Sequence, residues 1–265
     1  MSAYFSLFRA RFRTLMRYRA AAWAGVVTQI VFGAVLIAMR AAFYKNATTP
    51  PPLSYEQMVT YSWLVQAFFA MSPFTANPDP EVRDRMRDGS VAYELARPLD
   101  IYTLWFVRNA ANRLTPALLR CGPIFVLGIL FLDLKPPPSL PAFAGFLVAM
   151  MGALALIASW CTLISISLLW TVSGDGIART GPIIVMIFSG QLVPIALFPE
   201  FLQKALQFQP FVGMMDAPFN LWIGKTPANH ILAVLAHQLL WTGFFVLLGR
   251  FLLRRGIKRM VVQGG

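Results

Sequence analysis

From Ala142 to Val172 the chain runs for 31 residues without a charged side chain. As a helix rising 1.5 Å per residue, this stretch is roughly 46 Å long, against a bilayer hydrocarbon core of ~30 Å. A segment of this kind has no stable place on a water-soluble surface, so the reading is a membrane span that tilts or protrudes. Of 265 residues, 57% are apolar and 13% charged, about half the ~25% charge of an ordinary soluble domain. Five further apolar runs are expected to span: about Ala21 to Phe43, Gln57 to Phe74, Thr115 to Leu132, Gly181 to Phe198 and His230 to Leu253. The expected fold class is therefore an all-α membrane protein with six transmembrane helices. Six spans consume roughly half the chain, which leaves one membrane domain over residues 1–265 and no room for a soluble catalytic domain. Cys121 and Cys161 both lie in apolar runs, so no disulfide framework is implied.

The charged residues are concentrated. Residues Tyr4 to Arg19 alternate Phe5, Phe8, Phe12, Leu15 and Met16 with Arg9, Arg11, Arg13, Arg17 and Arg19, which on a helix separates an oily face from a cationic one. Residues 1–20 thus read as an interfacial helix. A secretory signal is the alternative, but the apolar run after it exceeds the ~7–15 residues of a signal core. Residues 77–100 invert the composition, with Asp79, Glu81, Arg83, Asp84, Arg85, Arg87, Asp88, Glu94, Arg97 and Asp100 in one interior stretch. Pro78 and Pro80 open it, Gly89 and Ser90 interrupt it and Pro98 closes it, so two short helices are expected, about Glu81 to Asp88 and Val91 to Ala96. Between Pro199 and Asn229 apolar and polar residues mix around Pro210, Pro218 and Pro227, which fits re-entrant or interfacial pieces better than a span.

The formal charge of +12 reads as topology rather than nucleic-acid binding. With both termini cytoplasmic, 18 of the 23 basic residues fall on one side, and every loop satisfies the positive-inside rule. Lys45, Lys135, Lys204, Lys225 and Arg40 make up the remainder.

Catalytic chemistry has little to work with. His230 and His237, seven apart, share a helix face, but no Cys, Asp or Glu lies nearby in sequence, so neither a metal nor a catalytic set is assigned. Gly224, Lys225 and Thr226 imitate the end of a phosphate-binding loop, yet the position five before Gly224 is Phe219 rather than Gly. No other stretch offers a glycine-rich phosphate cradle. Glu200, Asp216 and His230 are the only titratable candidates on the outer side for a membrane-embedded lipid-modifying enzyme, and they form no recognised motif. A scaffold or sensor subunit that recruits a cytoplasmic ATPase is the other alternative.

The run Arg87-Asp88-Gly89-Ser90-Val91-Ala92-Tyr93-Glu94-Leu95-Ala96-Arg97-Pro98-Leu99 resembles the signature of a six-span family of type 2 ABC-transporter permeases. Two further stretches are similar to that family: Phe198-Pro199-Glu200 through Gln209-Pro210-Phe211 to Ala217-Pro218 and Gly224, and the ending Val262-Gln263-Gly264-Gly265. The resemblance implies the permease half of an ATP-driven exporter, not itself an enzyme, that moves a hydrophobic or amphipathic substrate. It implies a cytoplasmic coupling helix in residues 77–100 and extracellular re-entrant helices in residues 199–229, between spans five and six. It implies a multi-pass location in a bacterial plasma (inner) membrane, a separate ABC ATPase in two copies, a second related permease as heterodimer rather than homodimer partner, and membrane lipids around it. No cofactor belongs to this chain; ATP and Mg sit in the partner ATPase. By that analogy Glu81, Arg83, Arg87, Gly89, Tyr93, Glu94, Arg97, Pro98 and Leu99 form the ATPase-coupling interface, Arg83, Arg87, Tyr93, Glu94 and Arg97 as surface contacts, with a secondary contact at Ser173 to Thr180. Gln66, Ser165, Ser167, Gly190, Gln191 and Pro194 are candidate lining of the translocation path, against the plainer reading of packing and interhelical hydrogen bonding. Arg120, one to two turns inside the third run, is a candidate for a lipid or substrate headgroup, against simple snorkelling.

Overall fold

The computed structural model describes residues 3–74, 79–170 and 175–258, and among these every regular element is helical. Helix α1 (Ala3–Leu15) has no buried residue and lies against the bundle at its basic end. Helix α2 (Arg19–Lys45) follows, then α3 (Tyr55–Ala67) and a single 3-10 turn at Phe69–Met71. The charged stretch folds as α4 (Pro80–Arg87) and α5 (Val91–Leu95), within one residue of the expected helices at all four of their ends. Helices α6 (Ile101–Phe131), α7 (Leu140–Ser167) and α8 (Asp175–Phe188) come next. Two seven-residue helices, α9 (Glu200–Leu206) and α10 (Asp216–Trp222), precede α11 (Ile231–Ile257).

Four segments have the length and apolarity to cross a membrane: Arg19–Lys45, Ile101–Phe131, Leu140–Ser167 and Ala228–Ile257, of 27, 31, 28 and 30 residues. A span needs ~20 residues. The second and fifth expected spans are occupied by shorter helices. At 13 and 14 residues, α3 and α8 are each about 20 Å long. Both stop for local reasons: α3 passes into the 3-10 turn at Phe69, and α8 runs into Gly190, whose φ of +83° no right-handed helix contains. Every residue of α3 from Met58 to Ala67 is buried, so this helix is enclosed by its neighbours instead of facing lipid. The third span starts well before Thr115, because Asp100 caps α6 by accepting from Thr103 N at 3.0 Å. The fourth ends at Ser167 rather than Val172.

The core is centred on α7, against which α6, α10 and α11 pack. Ala149, Ala153 and Ala158 of α7 are completely buried, and small side chains there let α11 approach closely. Gln238 Nε2 of α11 donates to Ala149 O at 2.9 Å and to Gly213 O at 2.8 Å. The outer side of α2 is a contrast: Val27, Val31, Phe32, Val35, Met39 and Phe43 are all more than half exposed. In lipid that surface is solvated by acyl chains.

Candidate functional site

The charged segment is built from its caps inward. Asp79 caps α4 by accepting from Glu81 N at 3.0 Å, with Pro80 in the first turn. Gly89 breaks the helix with a φ of +75°, which favours glycine, and Asp88 accepts from Ser90 N at 2.8 Å to lead into α5. On the underside, Val82 and Val91 are buried against Trp105 and Tyr102 of α6 and Leu253 of α11. The two short helices are therefore pinned to the feet of two long ones.

A polar network reinforces the attachment. Glu94 is 2% exposed and accepts from Trp105 Nε1 at 2.9 Å, from Arg108 Nη2 at 2.7 Å and from Arg85. Arg85 also pairs with Glu81 at 2.7 Å, and Glu81 pairs with Arg11 of α1 at 3.2 Å. Arg11 Nε donates to Asn112 Oδ1 at 2.9 Å, and Asn112 Nδ2 to Asp79 Oδ2 at 3.2 Å. Four elements, α1, α4, α5 and α6, are thus joined by ion pairs and charge-assisted hydrogen bonds. Burial works to raise the Glu94 carboxyl, but the bonds from Arg108 and Trp105 with the nearby arginine charges outweigh it and hold it below the usual carboxylate range. For Asp79 the balance is reversed: burial pushes it up against the weaker pull of Arg108, the Glu81 N–H and Arg11.

This geometry corrects one expectation within the segment. Glu94, expected as a surface contact, is an internal anchor, because the Trp105 and Arg108 side chains of α6 turn toward it. Tyr93, its neighbour, is 77% exposed, and Gly89, Arg97 and Pro98 are exposed with it. Glu81, Arg83 and Leu99 are half-buried, and Leu99 packs on the cluster around Trp105. The side chain of Arg87 lies outside the described residues, as do residues 173 and 174 of the secondary segment and the 262–265 ending; Ile177, Arg179 and Thr180 are exposed at the start of α8.

Among the described residues, those considered for a path are packed or hydrogen-bonded within the bundle. Ser165 and Ser167 donate back to Cys161 O and Ile164 O on their own helix, and Gln66 is buried in α3. Gln191 accepts from Ser72 Oγ at 2.7 Å, and Pro194, also buried, leads into the 3-10 turn at Ile195–Leu197. Gly190 is held by packing as well as by its backbone: a Cβ there would stand 2.4 Å from Tyr61 Oη and 2.8 Å from Asp216 Cβ. Arg120 lines a cleft of about 520 Å³ beside Arg11, Asp79, Glu81 and Arg113.

Two groups gained importance that the linear sequence did not give them. Asp216, 4% exposed, accepts from Tyr61 Oη at 2.8 Å, Ile195 N at 3.1 Å and Asn220 Nδ2 at 2.6 Å, so it ties α3, α10 and the chain after α8 together. It borders a cleft of about 510 Å³ that also contains Lys225, His230 and His237; the two histidines thus share a surface, as their spacing foretold. The other is Arg40 of α2, whose guanidinium donates to Ser62 Oγ and, at 2.8 Å, to Leu192 O. Its signal was an arginine five residues inside the end of an apolar helix.

A family model described as an ABC-2 family transporter protein matches residues 26–264. No curated protein and no solved structure matches the chain.

Proposed function

Since this chain belongs to the ABC-2 family of transporter proteins, a multi-pass membrane component, we propose that it is the permease subunit of an ATP-driven exporter for a hydrophobic or amphipathic substrate. The basic end faces the cytoplasm, in keeping with the charge bias. ATP and Mg belong to a separate ATPase that docks on α4 and α5, and a second permease completes the membrane part. In this reading α3 and α8 are the second and fifth of six crossings, short because the chain breaks inside the protein where neighbouring residues satisfy its backbone, and residues 199–229 form the re-entrant outer region.

The observation that carries the proposal is the attachment of α4 and α5 to α6 through Glu94, with Tyr93 and Arg97 left outward. A partner pressing on the outer face moves a unit bonded to Trp105 and Arg108 and packed on Leu253. The stroke then reaches α6 and α11 without being absorbed by a loose loop. Exposed aromatic and arginine side chains are the types that dominate protein interfaces.

The test is purification of the tagged chain from its native membrane in mild detergent. An ABC ATPase co-purifies with the wild type, and a Tyr93→Ala/Arg97→Ala double variant recovers about tenfold less of it, as expected for the loss of one interface hot spot, while melting with the wild type. Undiminished ATPase recovery by the double variant would overturn the docking assignment; absence of any ATPase under conditions that preserve other membrane complexes would favour the membrane-embedded enzyme reading.

A further inference from the structure

Arg40 of α2 differs from Arg85 and Arg108 in what it meets. Arg85 and Arg108 meet carboxylates, whereas among the described residues no carboxylate lies within ion-pair distance of Arg40. Its two hydrogen bonds go to the neutral Ser62 Oγ and Leu192 O, which use two of five N–H donors and fix the plane of the guanidinium. An arginine keeps its charge in any protein environment, and a charge set among apolar groups is costly without a counter-ion.

The surroundings describe that counter-ion. Arg40 opens on a groove of about 810 Å³ between α2 and residues 192–197, and no acidic side chain lines it. One side is apolar and uncovered: Met39 is 54% exposed, Phe43 73% and Leu192 45%. The mouth carries Asn46, Thr48 and Thr49. A free anion would gain nothing from the apolar wall, and a neutral hydrocarbon would leave the charge unanswered. The volume is that of a site for one small ligand.

We propose that this groove binds a membrane amphiphile with an anionic head, a phosphate or carboxylate held by Arg40, with its tail along Leu36, Met39 and Phe43. The planar fork of arginine matches either head group. That the amphiphile is cargo rests on the transport reading above; that it binds does not.

The full chain, purified in detergent without any ATPase, is titrated with short-chain phosphatidylglycerol and phosphatidylcholine, and bound lipid is counted by native mass spectrometry. Because the arginines of α1 also attract anionic lipid, the readout is the difference between wild type and variants. Phosphatidylglycerol binds about fivefold more tightly than phosphatidylcholine at the Arg40 site, the preference expected of one basic side chain near a membrane surface. Arg40→Gln abolishes that preference and Arg40→Lys retains part of it. Met39→Trp, at an exposed position that leaves the core intact, weakens binding of both lipids by filling the groove, which keeps the test decisive if Arg40→Gln fails to fold. Equal binding of the two lipids by the wild type, a preference that survives Arg40→Gln, undiminished binding of both lipids by Met39→Trp, or displacement of the lipid by inorganic phosphate overturns the proposal. None of these outcomes touches ATPase recovery, so failure here and failure of the transport reading remain separate.

Discussion

Glu94 and Asp216 are buried carboxylates toward opposite ends of the bundle, 2% and 4% exposed, yet their partners differ in kind. Glu94 is held by two arginines and an indole N–H. Asp216 is held by a phenol, an amide and a backbone N–H, all neutral. At Glu94 the bonds prevail over burial and keep the acid ionised; at Asp216 burial pushes the carboxyl up against the bonds from Tyr61 and Ile195. The difference separates two ways of joining helices. Ions in balance make a rigid attachment that costs heavily to break, since removal of one leaves another unanswered in low dielectric. Neutral donors around one acid make an attachment whose strength depends on hydrogen-bond satisfaction rather than on charge.

The largest effect should come from Glu94→Ala. It strands Arg108, whose side chain is 7% exposed, and breaking a buried pair from one side typically costs about 3–5 kcal/mol. Thermal melting in detergent should fall accordingly, and limited proteolysis within α4 and α5 should accelerate because the segment is released from α6. A variant that melts with the wild type and stays protease-resistant would mean the apolar underside alone holds the segment.

Asp216→Ala should cost less, about 2–3 kcal/mol, since it leaves neutral donors unpaired. Asp216→Asn should cost less again: its oxygen still accepts from Tyr61 and Ile195, and Asn220 can turn its amide to accept from the new N–H₂. If the asparagine variant proved as unstable as the alanine one, the Asp216 cluster would depend on the acid's charge after all, and the contrast with Glu94 would collapse.

What the sequence made legible follows the same division. The α4–α5 pair could be placed almost to the residue because its stops are local: Pro80 starts a helix, Gly89 breaks one and Pro98 prevents a restart. The four long helices were legible from hydropathy alone. The role of Glu94 was not, because its burial depends on Trp105 and Arg108, 11 and 14 residues away on another helix, and a charged run viewed linearly resembles a solvated face. Asp216 was less legible still, being bonded to Tyr61 across 155 residues. The short lengths of α3 and α8 were hidden for a related reason: hydropathy reports that a stretch is apolar, and an apolar stretch enclosed by other helices looks the same as one facing lipid.

The smallest effect gives the sharpest comparison, since Asp79 breaks the rule by position. It sits in the charged network beside Glu81, but its direct donors are the Asn112 amide and the Glu81 N–H, so by partner type it belongs with Asp216. Burial raises its pKa, whereas that of Glu94 is lowered, and the two signs follow. An acid with a lowered folded-state pKa stabilises the fold above its unfolded value, about 4.3 for Glu, and this stability is lost as pH falls through the folded value. An acid with a raised one favours the fold fully below its unfolded value, about 3.9 for Asp, and that contribution is lost as pH rises through the folded value. Neither Glu94→Gln nor Asp79→Asn titrates at its substituted position. The melting temperature of Glu94→Gln relative to wild type should therefore be lowest near neutrality and recover toward acid, while that of Asp79→Asn should climb as pH rises. Melting curves of the three proteins between pH 3.5 and pH 8 read both slopes at once. Opposite slopes would establish that partner type, not location at the basic end, decides how a buried carboxylate holds this fold together; parallel slopes would return the explanation to the field of the surrounding arginines.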